Sequence, residues 1–259
     1  MAAAHHSPMA QFEVHTVYAL PQMFGIDMSL TNSAMWMLIS IAAAFLFFAI
    51  GMRKRDVVPG RMQSLAEMTY QFVDGIVGEN AGERGKKFFP FIFSLFLFIL
   101  FMNLCGMLPY SFTPTSGIIV TFAMGAVVFL GVTLVGLINQ GPVGFFKHFI
   151  PEGLPIVIAP LVFAIELVSY LSRPFSLAIR LAANMTAGHT LMKVIAGFVL
   201  PLGLFGVAPM LFLVFMTGFE IFVAILQAYV FTLLACIYLG EALTDNHIGN
   251  EEHDVHIPA

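Results

Sequence analysis

Between residues 172 and 194 the chain reads SRPFSLAIRLAANMTAGHTLMKV, which places Arg173, Arg180, His189 and Lys193 in an otherwise apolar run. Glu166 lies upstream of them, and a later apolar run carries Glu220 and Gln227. A guanidinium stays protonated at any biological pH, so the arginines can hold charge but cannot relay a proton. Histidine and carboxylate do titrate, and burial or a charged neighbour moves either one. Side chains of these types suit proton transfer past a fixed positive charge. On a helix turning about 100° per residue, Glu166, Arg173, Ser176, Arg180 and Asn184 fall within roughly one quarter of the circumference. Ala183 and Ala187 border that face, and small residues beside an arginine let another helix approach closely. His189 and Lys193 fall nearly opposite. Glu220 and Gln227 share a face of their own helix.

Each of these residues also has a structural reading. Arg173 precedes Pro174 and could cap carbonyls that the proline frees. Arg180 could pair internally, and His189 could be an ordinary buried hydrogen-bonding histidine. Ser176, Asn184 and Gln227 could bond backbone carbonyls. Lys193 is expected to snorkel toward the outer surface. Glu220 calls for a cation, and His189 is the candidate. Left unpaired at helix centres, Glu166, Arg173, Arg180, Lys193 and Glu220 would together cost on the order of 10 kcal/mol. That cost marks an ion path or an internal pairing rather than lipid contact.

The elements that carry these residues follow from composition. Of 259 residues, 59% are hydrophobic and only 10% charged, against roughly 25% charged in soluble domains. The mean hydropathy is +0.91, and the chain reads as an all-α integral membrane protein. Apolar runs extend over Ala34 to Gly51, Phe88 to Leu108 and Ile118 to Ile138. Two longer ones follow, Leu154 to Leu200 and Pro209 to Leu239, separated by PLGLFGVAP. A bilayer core needs roughly 20 residues per helix, so about five transmembrane helices are expected, the last two long and tilted as a hairpin over 154–239. Residues 59–78 place Met62, Leu65, Met68, Phe72 and Ile76 at three- and four-residue spacing, which predicts an amphipathic helix on the cytoplasmic membrane surface. The Phe-rich FFPFIFSLFLFILF at 88–101 has no polar stripe.

Basic residues fall in the segments after the first and third runs: Arg53, Lys54, Arg55, Arg61, Arg84, Lys86, Lys87 and Lys147. None falls in 109–117 or 201–208. By the positive-inside rule, the basic segments are cytoplasmic, residues 1–33 face outward, and the polar tail 241–259 is cytoplasmic. The N-terminus has no basic region ahead of an apolar core, so no cleavable signal is expected, and the polar N-terminal segment favours a bacterial inner membrane. Cys105 and Cys236 lie in apolar runs and make no disulfide or metal framework. No metal, cofactor or nucleic-acid site is expected. AGERGKKF at 81–88 lacks the spacing of a phosphate-binding loop, so the chain is not expected to be an enzyme. A secondary transporter would show repeats or broken helices, and an intramembrane enzyme would need a convergent nucleophile or metal set.

ELVSYLSRPFSLAIRLAANMTAGHTLM at 166–192, followed by FEIFVAILQAYVFTLLACIYL at 219–239, closely resembles subunit a of F-type ATP synthases. NLCGMLPYSFTPT at 103–115 fits the same pattern, and the likeness covers most of the chain after residue 30. It is nearest the alphaproteobacterial and mitochondrial branch. The resemblance implies a stator subunit whose tilted hairpin lies against a rotating ring of c subunits, with peripheral-stalk b subunits and an F1 ATPase head in the same complex. It implies two offset half-channels separated by Arg180, with Asn184 and Gln227 as polar positions near it. It associates Glu166 with the cytoplasmic half-channel and the pair His189 and Glu220 with the outer one. Some bacterial members carry the acid at the position of His189 and the histidine on the last helix, and some carry aspartate at the position of Gly106. Proton is the expected coupling ion.

Overall fold

A computed structural model describes residues 12–19, 29–53, 58–108, 111–149 and 158–243, with the backbone alone at 146–148. Lys54, Arg55, residues 154–157 of the expected hairpin and the tail beyond 243 lie outside the described residues. Two short strands, β1 (Thr16–Tyr18) and β2 (Leu30–Thr31), pair antiparallel ahead of the helices. The helices are α1 (Asn32–Gly51), α2 (Arg61–Gly85), α3 (Phe89–Gly106), α4 (Ile118–His148), α5 (Ala159–Val199) and α6 (Val207–Leu243). Five helical stretches among the described residues are long and apolar enough to cross a membrane. The protein is thus an all-α membrane protein. Its outward surface is apolar in keeping with that, with Phe45 75% and Ile119 82% exposed.

The helices begin and end where local chemistry dictates. Thr31 caps α1 by accepting from Ala34 N–H at 3.2 Å, satisfying one donor of the first turn. The run expected to stop at NQGP instead continues in α4 to His148, through a kink at Gly141 with φ of 70°. Glycine takes that conformation without a Cβ penalty, and Pro142 needs no N–H partner. Neither SRPF nor NMTAG interrupts α5, which runs unbroken through Pro174. At 1.5 Å per residue α5 is about 60 Å long, twice the thickness of a bilayer core.

Helix α2 extends past the expected 78 to Gly85 and presents two apolar edges. Ala66, Val73, Ile76, Val77 and Ala81 are buried. Met62, Leu65, Met68 and Phe72 are 43–61% exposed. The inner edge packs on α6, where an added Cβ at Gly240 would sit 2.2 Å from the Asn80 carbonyl oxygen. The core links α2, α3, α4, α5 and α6 through Val77, Ile99, Val128, Leu181 and Ala235 among others. α5 and α6 fold back on each other across a tight turn at Gly203–Gly206. Gly203 has φ of 56° there, and a Cβ at Gly206 would meet the Val199 carbonyl oxygen at 2.1 Å.

Candidate functional site

The α5–α6 hairpin brings His189 and Glu220 together. His189 Nε2 lies 3.6 Å from Glu220 Oε1, with side chains 12% and 5% exposed. Both Glu220 oxygens are buried and accept no hydrogen bond among the described residues. Gly188 makes this pairing possible, because a Cβ there would come within 2.5 Å of Glu220 Oε1. The separation exceeds hydrogen-bond length, so a proton passes between the two only after a small closure or through one water.

A cavity of about 770 Å³ reaches His189 of this pair and is lined also by Lys193, Thr217, Trp36, Ser111 and Glu13 among others. Its walls come from the start of α1, the end of α3, the far end of α5 and the early part of α6. Those are the ends expected, from the distribution of basic residues, on the outer side. The opposite end of the molecule gathers the other charges. Arg173 forms an ion pair with Glu241 and lies over the rings of Tyr238 at 4.5 Å and Tyr170 at 5.5 Å. Cation–π contact of this kind adds to the pair when it is shielded from water. Glu166, itself exposed, lines a smaller cavity of about 70 Å³ together with Arg173, Glu241, Gln140 and Tyr170.

Arg180 lies between these two ends on α5 and, unlike Arg173, forms no ion pair among the described residues. It is exposed on α5, and no hydrogen bond or ion pair holds it among the described residues. Ser176, Ala183, Asn184 and Ala187 are exposed on the same helix. Leu177, Ala178, Leu181, Ala182 and Met185 form its buried side. The quarter-turn face read from spacing is therefore present, except that Arg173 turns in from it toward Glu241. Gln227 is 6% exposed on α6, and Lys193 is exposed at the rim of the larger cavity. No group of three or more His, Cys, Asp or Glu side chains suited to a metal occurs among the described residues.

Several polar residues that spacing did not single out complete the site. Thr113 Oγ1 lies 3.1 Å from His189 Nε2 and 3.2 Å from the Gly106 carbonyl oxygen. Thr115 donates to Asn103 Oδ1 at 2.8 Å, and Asn103 donates to the Ala224 carbonyl at 3.2 Å. Tyr170 shares a 2.6 Å hydrogen bond with Thr133. Asn103 had a signal in sequence, as an amide near the end of the apolar run Phe88 to Leu108. Glu241 reads as the first residue of a polar tail, yet it belongs to the last turn of α6.

With this geometry in view, comparison with known proteins is direct. A family model described as ATP synthase A chain matches residues 34–240. A protein named ATP synthase subunit a from Pelagibacter ubique is 49% identical over 242 residues, covering 93% of this chain and 99% of the relative. Proteins of the same name from a Wolbachia of Drosophila simulans and from Parvibaculum lavamentivorans are each 50% identical. The first covers 92% of this chain and 98% of the relative, the second 93% and 94%.

Proposed function

The chain belongs to the ATP synthase A chain family, and from that premise we propose how its residues move protons. It is a proton-translocating membrane subunit of an F-type ATP synthase, part of that complex and not itself catalytic, in a bacterial plasma membrane. In our reading Arg180 is the gate between two half-channels. His189 and Glu220 load protons from the outer side, through the large cavity beside them. Glu166 serves the cytoplasmic exit, and Ser176, Asn184 and Gln227 are supporting polar groups. The exposed α5 face meets a ring of c subunits, with peripheral-stalk b subunits holding the stator.

The observation that carries this reading is the contrast between Arg180 and Arg173, the two arginines of α5. Arg173 has an ion-pair partner in Glu241, whereas Arg180 is exposed on α5 with none among the described residues. A charged side chain at a helix centre costs about 2.5–3.5 kcal/mol, and a mobile carboxylate on a neighbouring rotor would offset it. Such a carboxylate is protonated while it faces lipid and ionised while it faces a cation. Passing Arg180, it gives up its proton toward the cytoplasmic side and takes a new one from the His189 and Glu220 side. The fixed charge also repels protons that would leak straight across. Each proton carried through yields about 2.3 kcal/mol per 100 mV, conserved only when passage is tied to rotation.

The test is Arg180→Ala in inverted membrane vesicles, with ATP-driven pumping and passive proton leak both recorded. The expected result is loss of pumping with an undiminished or larger leak. Pumping at the unmodified rate would make Arg180 a structural charge and end the gating assignment.

A further inference from the structure

Thr113 stands in the loop between α3 and α4, 5% exposed, at a point that neither composition nor helical periodicity marks. Its hydroxyl oxygen sits between two groups, the Gly106 carbonyl at 3.2 Å and His189 Nε2 at 3.1 Å. A hydroxyl has one hydrogen to give and lone pairs to accept with. The carbonyl can only accept. The ring nitrogen donates when it carries a proton and accepts when it does not.

We propose that Thr113 is a positioning residue for the proton hand-off between His189 and Glu220, its hydroxyl serving His189 Nε2 in both of that nitrogen's proton states. While Nε2 is protonated, its N–H donates to Thr113 Oγ1, and the hydroxyl hydrogen points to the Gly106 carbonyl. When an imidazolium at His189 turns its Nε2 proton from Thr113 to Glu220 Oε1, through the small closure or one bridging water that the 3.6 Å separation requires, an N–H bond breaks and an O–H bond forms. The ring keeps its Nδ1 proton and becomes neutral, and the carboxylate becomes a neutral acid. The Thr113 hydroxyl then rotates, leaving the carbonyl and donating to the bare Nε2. The ring nitrogen is hydrogen-bonded before and after, so Nε2 itself is not left as an unmet buried polar atom in either state.

The surroundings hold the hydroxyl in place. Gly106 leaves room for it, since a Cβ there would lie 2.5 Å from Thr113 Oγ1. The turn itself is tied down on three sides. Ser116 Oγ donates to the Thr113 carbonyl at 2.7 Å, Thr186 of α5 donates to the Ser116 carbonyl at 3.3 Å, and Thr115 bonds Asn103 of α3. The other ionisable groups around His189 are Glu220 from α6, Lys193 one turn along α5, and Glu13 and His15 at the wall of the shared cavity. None of these is placed as Thr113 is, within hydrogen-bond distance of Nε2.

This inference rests on the reading of His189 and Glu220 as the loading site, so the experiment separates the two. ATP-driven proton pumping is measured in inverted vesicles, per assembled complex, for Thr113→Val, Thr113→Ala, Thr113→Ser and His189→Ala. Both hydroxyl-free variants are expected to pump roughly fivefold more slowly, the equivalent of about 1 kcal/mol. Thr113→Ala adds no bulk beside Gly106 and guards against a failure of Thr113→Val to assemble. Thr113→Ser is expected to stay within about twofold of the unmodified rate, the scale of a lost methyl contact rather than a lost hydrogen bond. Full pumping by the hydroxyl-free variants alongside a defective His189→Ala overturns the role of Thr113 and leaves the loading site standing. Equal loss in Ser, Ala and Val overturns it as well, because shape and not the hydroxyl would then matter. Full pumping by His189→Ala removes the loading site and this proposal together.

Discussion

At the scale of single residues, the charges divide by what each one faces. Arg173 is satisfied within the chain by Glu241 and two tyrosine rings, so its expected place on the polar face gives way to an internal anchor. An ion pair in a low-dielectric setting is strong only when both partners stay put, and the flanking aromatics hold this one. Glu166 is the opposite case, exposed and with no ion-pair partner among the described residues. It shares the smaller cavity with the Arg173 and Glu241 pair, so on the proposed exit path a proton would meet Glu166 without displacing an established salt bridge. Replacing it by glutamine keeps the shape and removes the proton acceptor. Glu166→Gln is expected to lower ATP-driven pumping about tenfold or more, in the range for loss of a proton-transfer group. Unchanged pumping would return Glu166 to a structural role. Position 188 shows how narrowly such pairs are set. Only a glycine leaves the 2.5 Å clearance at Glu220 Oε1 unfilled, so the small residue ahead of His189 belongs to the site as much as the histidine does.

At the scale of elements, close backbone approach decides which helices touch. Gly51 of α1 meets Ala66 and Met62 of α2, Gly125 of α4 meets the Pro174 carbonyl of α5, and Gly240 of α6 meets Asn80 of α2. Small residues at crossings are how membrane helices gain packing where lipid offers no hydrophobic penalty. The Gly240 contact is with backbone, which cannot swing aside. Gly240→Ala is therefore expected to destabilise the α2–α6 contact by about 1–3 kcal/mol, the usual cost of overpacking, and to lower the thermal stability of the detergent-solubilised complex. Gly131→Ala is the control, because nothing lies within 4 Å of a Cβ there. It should be neutral or slightly stabilising, since alanine favours helix over glycine. Equal effects of the two would mean that the α2–α6 contact is not where stability resides. Periodicity located α2 but read mainly its outward edge and, of the edge that packs, only Ile76, because Met62, Leu65, Met68 and Phe72 are larger and more hydrophobic than Ala66 and Ala81.

At the scale of the whole molecule, the two ends gather different groups, and the proposed orientation can be tested on them. The start of α1, the end of α3 and the α5–α6 turn gather around or near the large cavity, while Arg84 reaches the Leu243 carbonyl at 3.3 Å at the other end. With Cys105 and Cys236 replaced by alanine, Leu204→Cys at the 88% exposed α5–α6 turn is expected to react with a membrane-impermeant maleimide from outside. Lys87→Cys should react only when the cytoplasmic face is open to the reagent. The reverse pattern would invert the proposed direction of proton entry. What sequence alone determined was the membrane class, the helical runs, the long final hairpin and the candidate charges, because hydropathy, helical period and the cost of a charge in lipid are local properties. The family followed from two adjoining motifs. Which charge meets which was decided only by tertiary structure. Glu220 finds His189 across a hairpin, Glu241 finds Arg173 from the far end of the chain, and Thr113 comes to His189 from a loop. Those pairings depend on the register of α5 against α6 and on glycines that let backbones close, and no periodicity within a single helix encodes either.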